Sequence, residues 1–357
     1  MMVDCIALVM IVRNESRCIE RCLSSAKPWV DRIIVVDTGS DDDTAIIAAN
    51  LGAEVFYFAW NDDFSEARNV ALEHSNCKWN LVLDADEWIE TGGEHLGKLR
   101  SMTPDFVGRI KVRSFFEKDG RSYVAVDLLS RLLPGNVRYC GRIHEYPAHQ
   151  LITKEIPLVI AHDGYSPQQK EQKGSRNISL LHAALKDSPD DPYLKFQLGK
   201  EYETCRDYAA ALSCYLLCLK SCEKAEPWRH DLIVRTLYTL KMCKKYEDAI
   251  QLADSEMDFW AMSPDFFFVL GDIFLDYALS DPTQAEDILP MVEGAWQRCL
   301  EIGEQPQLAG TVEGRGSFLA ANNLYGFYLS LNDEQKATYY KKVSETLSKK
   351  PEKMHKK

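Results

Sequence analysis

The densest chemistry in this 357-residue chain lies in LVLDADEWIE, residues 81–90. A short apolar run, Trp79 to Leu83, delivers Asp84, Asp86 and Glu87 together at its end. Residues two apart on an extended segment point the same way, which puts Asp84 and Asp86 on a shared face. Two carboxylates held side by side repel each other unless a cation or a hydrogen-bond donor lies between them. Hard oxygen donors of this kind suit Mg²⁺ or Mn²⁺, ions that take one or two carboxylates plus substrate phosphates. The plain alternative is an acidic turn after a strand, since Asp is common where strands end. Glycoside hydrolases also pair carboxylates, but theirs flank a bond and stand roughly 5–9 Å apart, so neighbours on one face describe a metal site instead.

The elements that must position these groups are legible in the first half. IALVMIV, RIIVV, AEVFYF and WNLVL are short apolar runs, and the first three are each followed by a polar or amphipathic stretch. Strand alternating with helix is the pattern of a mostly parallel sheet with helices on its faces. Ligands of such sheets bind beyond the carboxyl ends of the strands. Those ends carry Arg13 and Asn14, then Asp37, then Trp60 to Asp63, then Asp84 and Asp86, so polar and acidic groups gather on one rim. No GxGxxG follows the first strand and no GxxxxGK[ST] occurs, which disfavours dinucleotide and P-loop sites. Ser40 and the run Asp41–Asp43 stand where the second helix should begin. Carboxylates there satisfy free backbone N–H groups, so capping explains the run without a metal.

Beyond Pro192 the rhythm becomes helical throughout. Leu198, Gly199, Tyr202, Ala211 and Tyr215 have the spacing of a tetratricopeptide repeat. Leu270, Gly271 and Phe274 restate its start, KKYEDAIQL around Ala249 its second half, and Tyr325 with Gly326 is a weaker echo. The pattern predicts degenerate repeats with an insertion near 281–290, and such stacks offer concave surfaces that suit peptides or partner proteins. Self-packing of the repeats into a homodimer is the other use they allow.

Composition narrows the function classes. Hydrophobic residues at 46% and charged residues at 27% are those of a globular protein, and the length favours two domains. A formal net charge of −12 argues against a nucleic-acid partner. The seven-residue apolar run Ile6–Val12 lacks the basic leader of a secretory signal, and no stretch reaches the roughly 20 apolar residues of a membrane span. Eleven cysteines, with no CxxC pair, point to a reducing, cytoplasmic setting. Cys214, Cys218 and Cys222 form one helical stripe, read as small-residue packing. KKPEKMHKK at the end reads as a solvated tail.

MIVRNES (10–16), VDRIIVVDTGSDDDT (30–44), WNDDFSEARN (60–69) and LVLDADEW (81–88) together resemble the family 2 glycosyltransferases of the GT-A fold. The resemblance covers about residues 5–165, and its pairing with helical repeats is similar to the sublancin-type bacteriocin glycosyltransferases, which place a sugar on a peptide cysteine. It implies a Rossmann-like α/β GT-A domain over 1–173, an all-α tetratricopeptide-like domain over 174–345 and a basic tail over 346–357. It also implies a UDP-sugar donor, UDP-glucose being the expected one, with Mg²⁺ or Mn²⁺. By the same resemblance Asp37 would bind uracil, and Asp84 the ribose or a metal-bound water. Asp86 would hold the divalent ion, Arg68 would steady the diphosphate or the rim carboxylates, and Asn14 with Arg13 would shape the base pocket.

GRIHEYP (141–147) and VIAHDGY (159–165) complete the set. An inverting transfer needs one base on the acceptor side, and Glu145 or His144 can supply it. The family more often carries an acidic pair here. His162 is a candidate third metal ligand, imidazole suiting Mn²⁺ better than Mg²⁺; a hydrogen-bonded structural histidine is the alternative. The acceptor is expected to be a peptide or protein side chain held by the repeats, a Cys thiol or a Ser/Thr hydroxyl. A cell-envelope glycan or lipid acceptor, or a catalytically dead scaffold, are the competing functions.

Overall fold

The computed structural model describes residues 3–118, 121–163 and 167–348. The chain divides into two compact units, Met1–Pro189 and Asp190–Lys357. The first begins with three strand–helix repeats and a fourth strand: β1 (Val3–Val12), α1 (Ile19–Ala26), β2 (Arg32–Asp37), α2 (Thr44–Asn50), β3 (Glu54–Tyr57), α3 (Phe64–Ser75) and β4 (Cys77–Val82). These are the four strands and three helices that the alternating rhythm predicts. β5 (Glu87–Thr91), a 3-10 helix (Gly93–Ser101), β6 (Phe106–Lys118) and β7 (Arg121–Pro134) follow. β8 (Arg138–Cys140), β9 (Tyr146–Ala148), β10 (Ile152–His162) and α4 (Pro167–Asp187) complete the unit.

Within this unit the large sheet runs β3-β2-β1-β4-β7-β6-β10-β5, and β8 with β9 forms a separate hairpin. β3, β2, β1 and β4 are parallel, while β7 joins β4 antiparallel, so the sheet is mixed. β1 is apolar on both sides because both faces are covered. Ile6, Leu8, Met10 and Val12 enter one core with Ile19, Cys22 and Leu23 of α1, and Cys5, Ala7 and Val9 enter the other with Ala71 and Leu72 of α3. Ile6, Leu8 and Met10 are essentially fully buried, each worth about 1.5–3 kcal/mol of transfer free energy. This double burial fixes β1 at the centre, and a polar rim is what remains where its apolar run stops.

The cysteine expectation needs one correction. Cys5 and Cys77 are joined by a disulfide between β1 and β4, 72 residues apart in sequence. Nearness in the sheet made the pair, which spacing along the chain could not show. The expected domain boundary at 173–174 falls within α4, a helix of the first unit.

The second unit holds four helix pairs: α5 (Pro192–Thr204) with α6 (Tyr208–Ser221), α7 (Arg229–Met242) with α8 (Tyr246–Glu256), α9 (Pro264–Ser280) with α10 (Ala285–Ile302), and α11 (Phe318–Ser330) with α12 (Glu334–Ser348). The repeat glycines mark close approach. A Cβ on Gly199 would stand 2.3 Å from the Tyr215 ring, and one on Gly271 2.5 Å from Trp296 Nε1. Starts are capped, by Asp191 before Pro192 and by Ser263 before Pro264. Cys218 and Cys222 are buried with Phe196, Tyr215 and Leu232, in line with packing rather than ligation. The extra chain is not at 281–290, where α10 already begins and Pro290 lies inside it. It is the stretch 303–317 between α10 and α11, anchored by Asp265, whose Oδ1 accepts from Val312 N at 3.0 Å and Arg315 Nη1 at 2.9 Å. Of the expected basic tail, residues 349–357 lie outside the described residues.

Candidate active site

The rim of the parallel strands places the site. β1 pairs Val12 with Asp37 of β2 on one side and Val9 with Val82 of β4 on the other, so the ends of three strands meet at one edge. Asp37 is 2% exposed, and its Oδ1 accepts the N–H groups of Gly39 at 2.8 Å and Ser40 at 2.7 Å. One oxygen thus closes the turn by accepting two backbone N–H groups. The neighbouring loop is tied to it. Asn14, at φ +57°, takes Ser40 Oγ on its N–H at 2.9 Å, and its side-chain oxygen accepts from Asp41 N at 2.7 Å. Of the acidic run, Asp43 stands at the N-cap of α2 without a side-chain bond to it, so the expected capping is not made there; Asp42 accepts Thr44 N at 3.0 Å and Ser16 N at 3.1 Å.

Asp84 and Asp86 do not share a strand face. β4 ends at Val82, and residues 84–87 form a turn closed by Glu87 N–H donating to the Asp84 carbonyl at 3.0 Å. A turn rotates successive side chains, so the two carboxylates have different partners. Asp84 Oδ1 accepts from Arg68 Nη2 and its Oδ2 from Arg131 Nη2, each at 2.8 Å. Asp86 Oδ2 lies 3.6 Å from His162 Nε2. The repulsion foreseen between two adjacent carboxylates is relieved by two guanidinium groups at Asp84 and by an imidazole at Asp86.

WNDDFSEARN explains how Arg68 arrives. Asp63 caps α3 by accepting Glu66 N at 3.0 Å, and Trp60 packs edge-on against Phe64 with ring centroids 4.7 Å apart. Asn69 clasps Tyr139 of β8 with both ends of its amide, at 2.9 Å and 2.8 Å. Arg68, one position earlier, is 7% exposed and bridges outward, its Nε donating to Glu145 Oε1 at 2.5 Å. Glu145 sits in the turn between β8 and β9, where Gly141 (φ +95°) and His144 (φ +52°) take left-handed backbone. Phe64 N–H donating to Arg142 C=O at 2.9 Å fastens that turn to the start of α3. Asp84, Arg68 and Glu145 are therefore one connected group, whereas the sequence presents them as three distant motifs.

Electrostatics follow from these contacts. Burial would raise the Asp84 carboxyl, but Arg68 and Arg131 outweigh it and hold it far below the usual carboxylate range. Burial pushes Glu87 up, partly offset by Arg131 and reinforced by Asp84. Burial disfavours charge on His162, yet Asp86 beside it more than compensates and carries the imidazole above its ordinary value of 6.5. His162 Nδ1 is 3.1 Å from Ser114 Oγ on β6, and β10 sets His162 opposite both Ser114 and Glu87. Among the described residues no three His, Cys, Asp or Glu side chains form a ready-made metal cage. The fitting donor set is the buried pair Asp86 and His162, with the ring's second nitrogen already engaged, as a ligating histidine requires.

Sequence reasoning missed Arg131 and Ser114. Arg131 did leave a signal, as a lone cation inside the apolar strand sequence LLSRLLP. Ser114 left none, since only the β6–β10 register brings it to His162.

Comparison with known proteins names the domain. The family model Glycosyl transferase family 2 matches residues 7–102. The first unit carries a family 2 glycosyl transferase domain. Three relatives accompany that match. A TPR repeat-containing protein of Synechococcus elongatus is 36% identical over 209 residues, 54% of this chain and 51% of the relative. The SPbeta prophage-derived glycosyltransferase SunS of Bacillus subtilis is 30% identical over 259 residues, 67% of this chain and 59% of SunS. An uncharacterized glycosyltransferase of Rickettsia bellii is 39% identical over 84 residues, 23% of this chain and 28% of the relative. The matches thus span only about half to three-fifths of the first two relatives. The family 2 domain is followed by the four helix pairs of the second unit. Among the described residues no helix is long and apolar enough to cross a membrane.

Proposed function

We propose that the protein transfers a sugar, with inversion, from a UDP-sugar to a side chain of a peptide or protein. The observation that carries this reading is the gathering of Asp37, Asp84, Asp86, Arg68 and His162 at one sheet edge, in a domain of the family 2 glycosyl transferases. Asp37 would bind the uracil through Oδ2, and the β1–α1 loop around Asn14 borders the same turn. Asp86 and His162 would hold a divalent ion, which supplies positive charge for the diphosphate when bound. Mn²⁺ matches a mixed carboxylate–imidazole pair better than Mg²⁺ does. UDP-glucose is the donor to try first.

Chemically, the acceptor atom attacks the anomeric carbon, the bond to the diphosphate breaks, and UDP leaves with the electron pair. The acceptor's proton must pass to a base on the opposite side. Glu145 and His144 share the turn that reaches the rim, and Glu145 Oε2 is the carboxylate oxygen not bonded to Arg68. Arg68 holds Glu145 and Asp84 at fixed separation, which orients the acceptor side relative to the donor side. A thiol acceptor follows the resemblance to peptide S-glycosyltransferases, and the helical repeats supply a surface suited to a peptide.

The test is UDP release from a panel of UDP-sugars with Mn²⁺, with and without cysteine-containing and serine-containing peptides. Transfer should be lost with chelator and should fall steeply in Asp86→Asn, which keeps volume but loses ligand charge. Undiminished turnover by Asp86→Asn in chelator would sink the metal assignment.

A further inference from the structure

Glu87 and Arg131 have no part in the reading above, yet they are among the most firmly held groups at the rim. Glu87 is 3% exposed. Its Oε2 accepts the Asp84 N–H at 2.9 Å, while its own N–H donates to the Asp84 carbonyl at 3.0 Å. The two bonds lock residues 84–87 in both directions. Its Oε1 accepts from Arg131 Nη2 at 2.7 Å, and that same nitrogen donates to Asp84 Oδ2 at 2.8 Å. Arg131 is anchored in its turn, standing next to the Leu132–Leu81 pair that joins β7 to β4. On the other side β5 sets Glu87 opposite His162.

Three carboxylates fall within four residues here. Left alone they would repel and splay the turn. One guanidinium placed between Asp84 and Glu87 removes most of that repulsion and leaves Asp86 as the carboxylate that faces His162. A buried ion pair is a poor source of stability, since an apolar pair of similar volume commonly does as well. Its value here is geometric.

We propose that Glu87 and Arg131 are positioning residues for sugar transfer: a buried clamp that sets the 84–87 turn so that Asp84 and Asp86 meet the donor and its cation correctly. The inference rests on the UDP-sugar reading for its purpose, but its geometry can be tested without turnover.

The experiment uses the full chain and the variants Glu87→Gln, Arg131→Lys and the double variant Glu87→Gln/Arg131→Gln. Three readouts are followed: Mn²⁺ affinity from the spin resonance of the free ion, hydrogen exchange of the 81–90 segment, and affinity for uridine, which reports the Asp37 end of the site. The clamp bonds Asp84, two residues before Asp86, and so acts on the cation through the turn; roughly 10-fold in metal affinity, the low end for loss of an outer partner, is the size to expect. The clamp therefore predicts that weakening for Mn²⁺ and faster exchange across 83–88, with uridine affinity unchanged. Lysine cannot reproduce the two-acceptor geometry of Arg131, so Arg131→Lys should resemble Glu87→Gln. The double variant removes both members of the clamp and leaves Asp84 held by Arg68 alone, so it should not recover Mn²⁺ affinity. Wild-type Mn²⁺ affinity and wild-type exchange in the folded variants would overturn the clamp. If the single variants do not fold, the folded double variant with wild-type values does the same. Wild-type protein that binds uridine but no Mn²⁺ would instead refute the metal reading of Asp86, and the exchange rates would then decide the clamp alone.

Discussion

His162 carries the most direct consequence of pH at the scale of single residues. Its folded value lies above 6.5 because Asp86 favours the imidazolium more than burial opposes it. The contact therefore stabilises the metal-free fold fully below pH 6.5, and that contribution is lost as the pH rises through the higher folded value. A cation needs the neutral ring, so metal and proton compete for Nε2. Mn²⁺ affinity should thus fall as the pH drops through a value above 6.5, and His162→Gln should flatten that dependence; a titration at constant ionic strength reads both. A slope unchanged in His162→Gln would remove the histidine from the metal site. Asp84 contributes nothing to this profile, since its two arginines keep it ionised throughout.

Among the elements, the β8–β9 turn and the repeat helices make separable predictions. Glu145→Gln should lower the transfer rate by roughly 10²-fold or more if the carboxylate is the base. With a thiol acceptor the loss should shrink toward high pH, because a free thiol ionises near about 8.5 unaided. The ion pair with Arg68 gives the variant a second reading: a raised donor KM with little change in kcat would assign Glu145 to holding Arg68 instead. A large loss in His144→Ala with full activity in Glu145→Gln would move the base to the histidine. In the second unit, Gly271→Ala drives a methyl to 2.5 Å from the Trp296 indole nitrogen, inside a packed helix pair. It should destabilise by about 1–3 kcal/mol, as overpacking commonly does. Gly326→Ala, with open space around it, should cost nothing measurable by the same denaturant titration and can gain helix propensity.

For the whole molecule, the relevant fact is that each unit owns its core. Ile6, Leu8, Trp79 and Ile160 belong to one cluster of the first, while Leu237, Phe266, Ile273 and Leu324 belong to the second. A chain ending after Pro189, at the close of the first unit, should fold and bind uridine and UDP-sugar. If the repeats recruit the peptide, it should hydrolyse the donor slowly and lose peptide transfer at low peptide concentration, regaining part of it at high concentration. Full transfer at low concentration by residues 1–189 would rule recruitment out.

Much of this was legible in the sequence because it depends on local order. Apolar runs of strand length alternating with amphipathic stretches dictate β1 to β4 and α1 to α3, since burial on two faces and on one face leave different periodicities. The repeat glycines dictate helix pairs for the same reason, a missing side chain being readable wherever helices must touch. Asp37, Asp84 and Asp86 were nameable because they follow apolar strand runs, whereas Arg68, Glu145 and His162 entered through the resemblance to the family 2 glycosyltransferases. Their relations were not nameable. That Asp84 belongs to two arginines and Asp86 to a histidine depends on a turn after β4 and on the β4–β7 and β6–β10 registers. The Cys5–Cys77 bond and the Glu87–Arg131 clamp likewise join residues 72 and 44 positions apart. Periodicity records what a residue's own segment needs, and long-range pairing records which segments the sheet sets side by side, so only the tertiary structure could assign those partners.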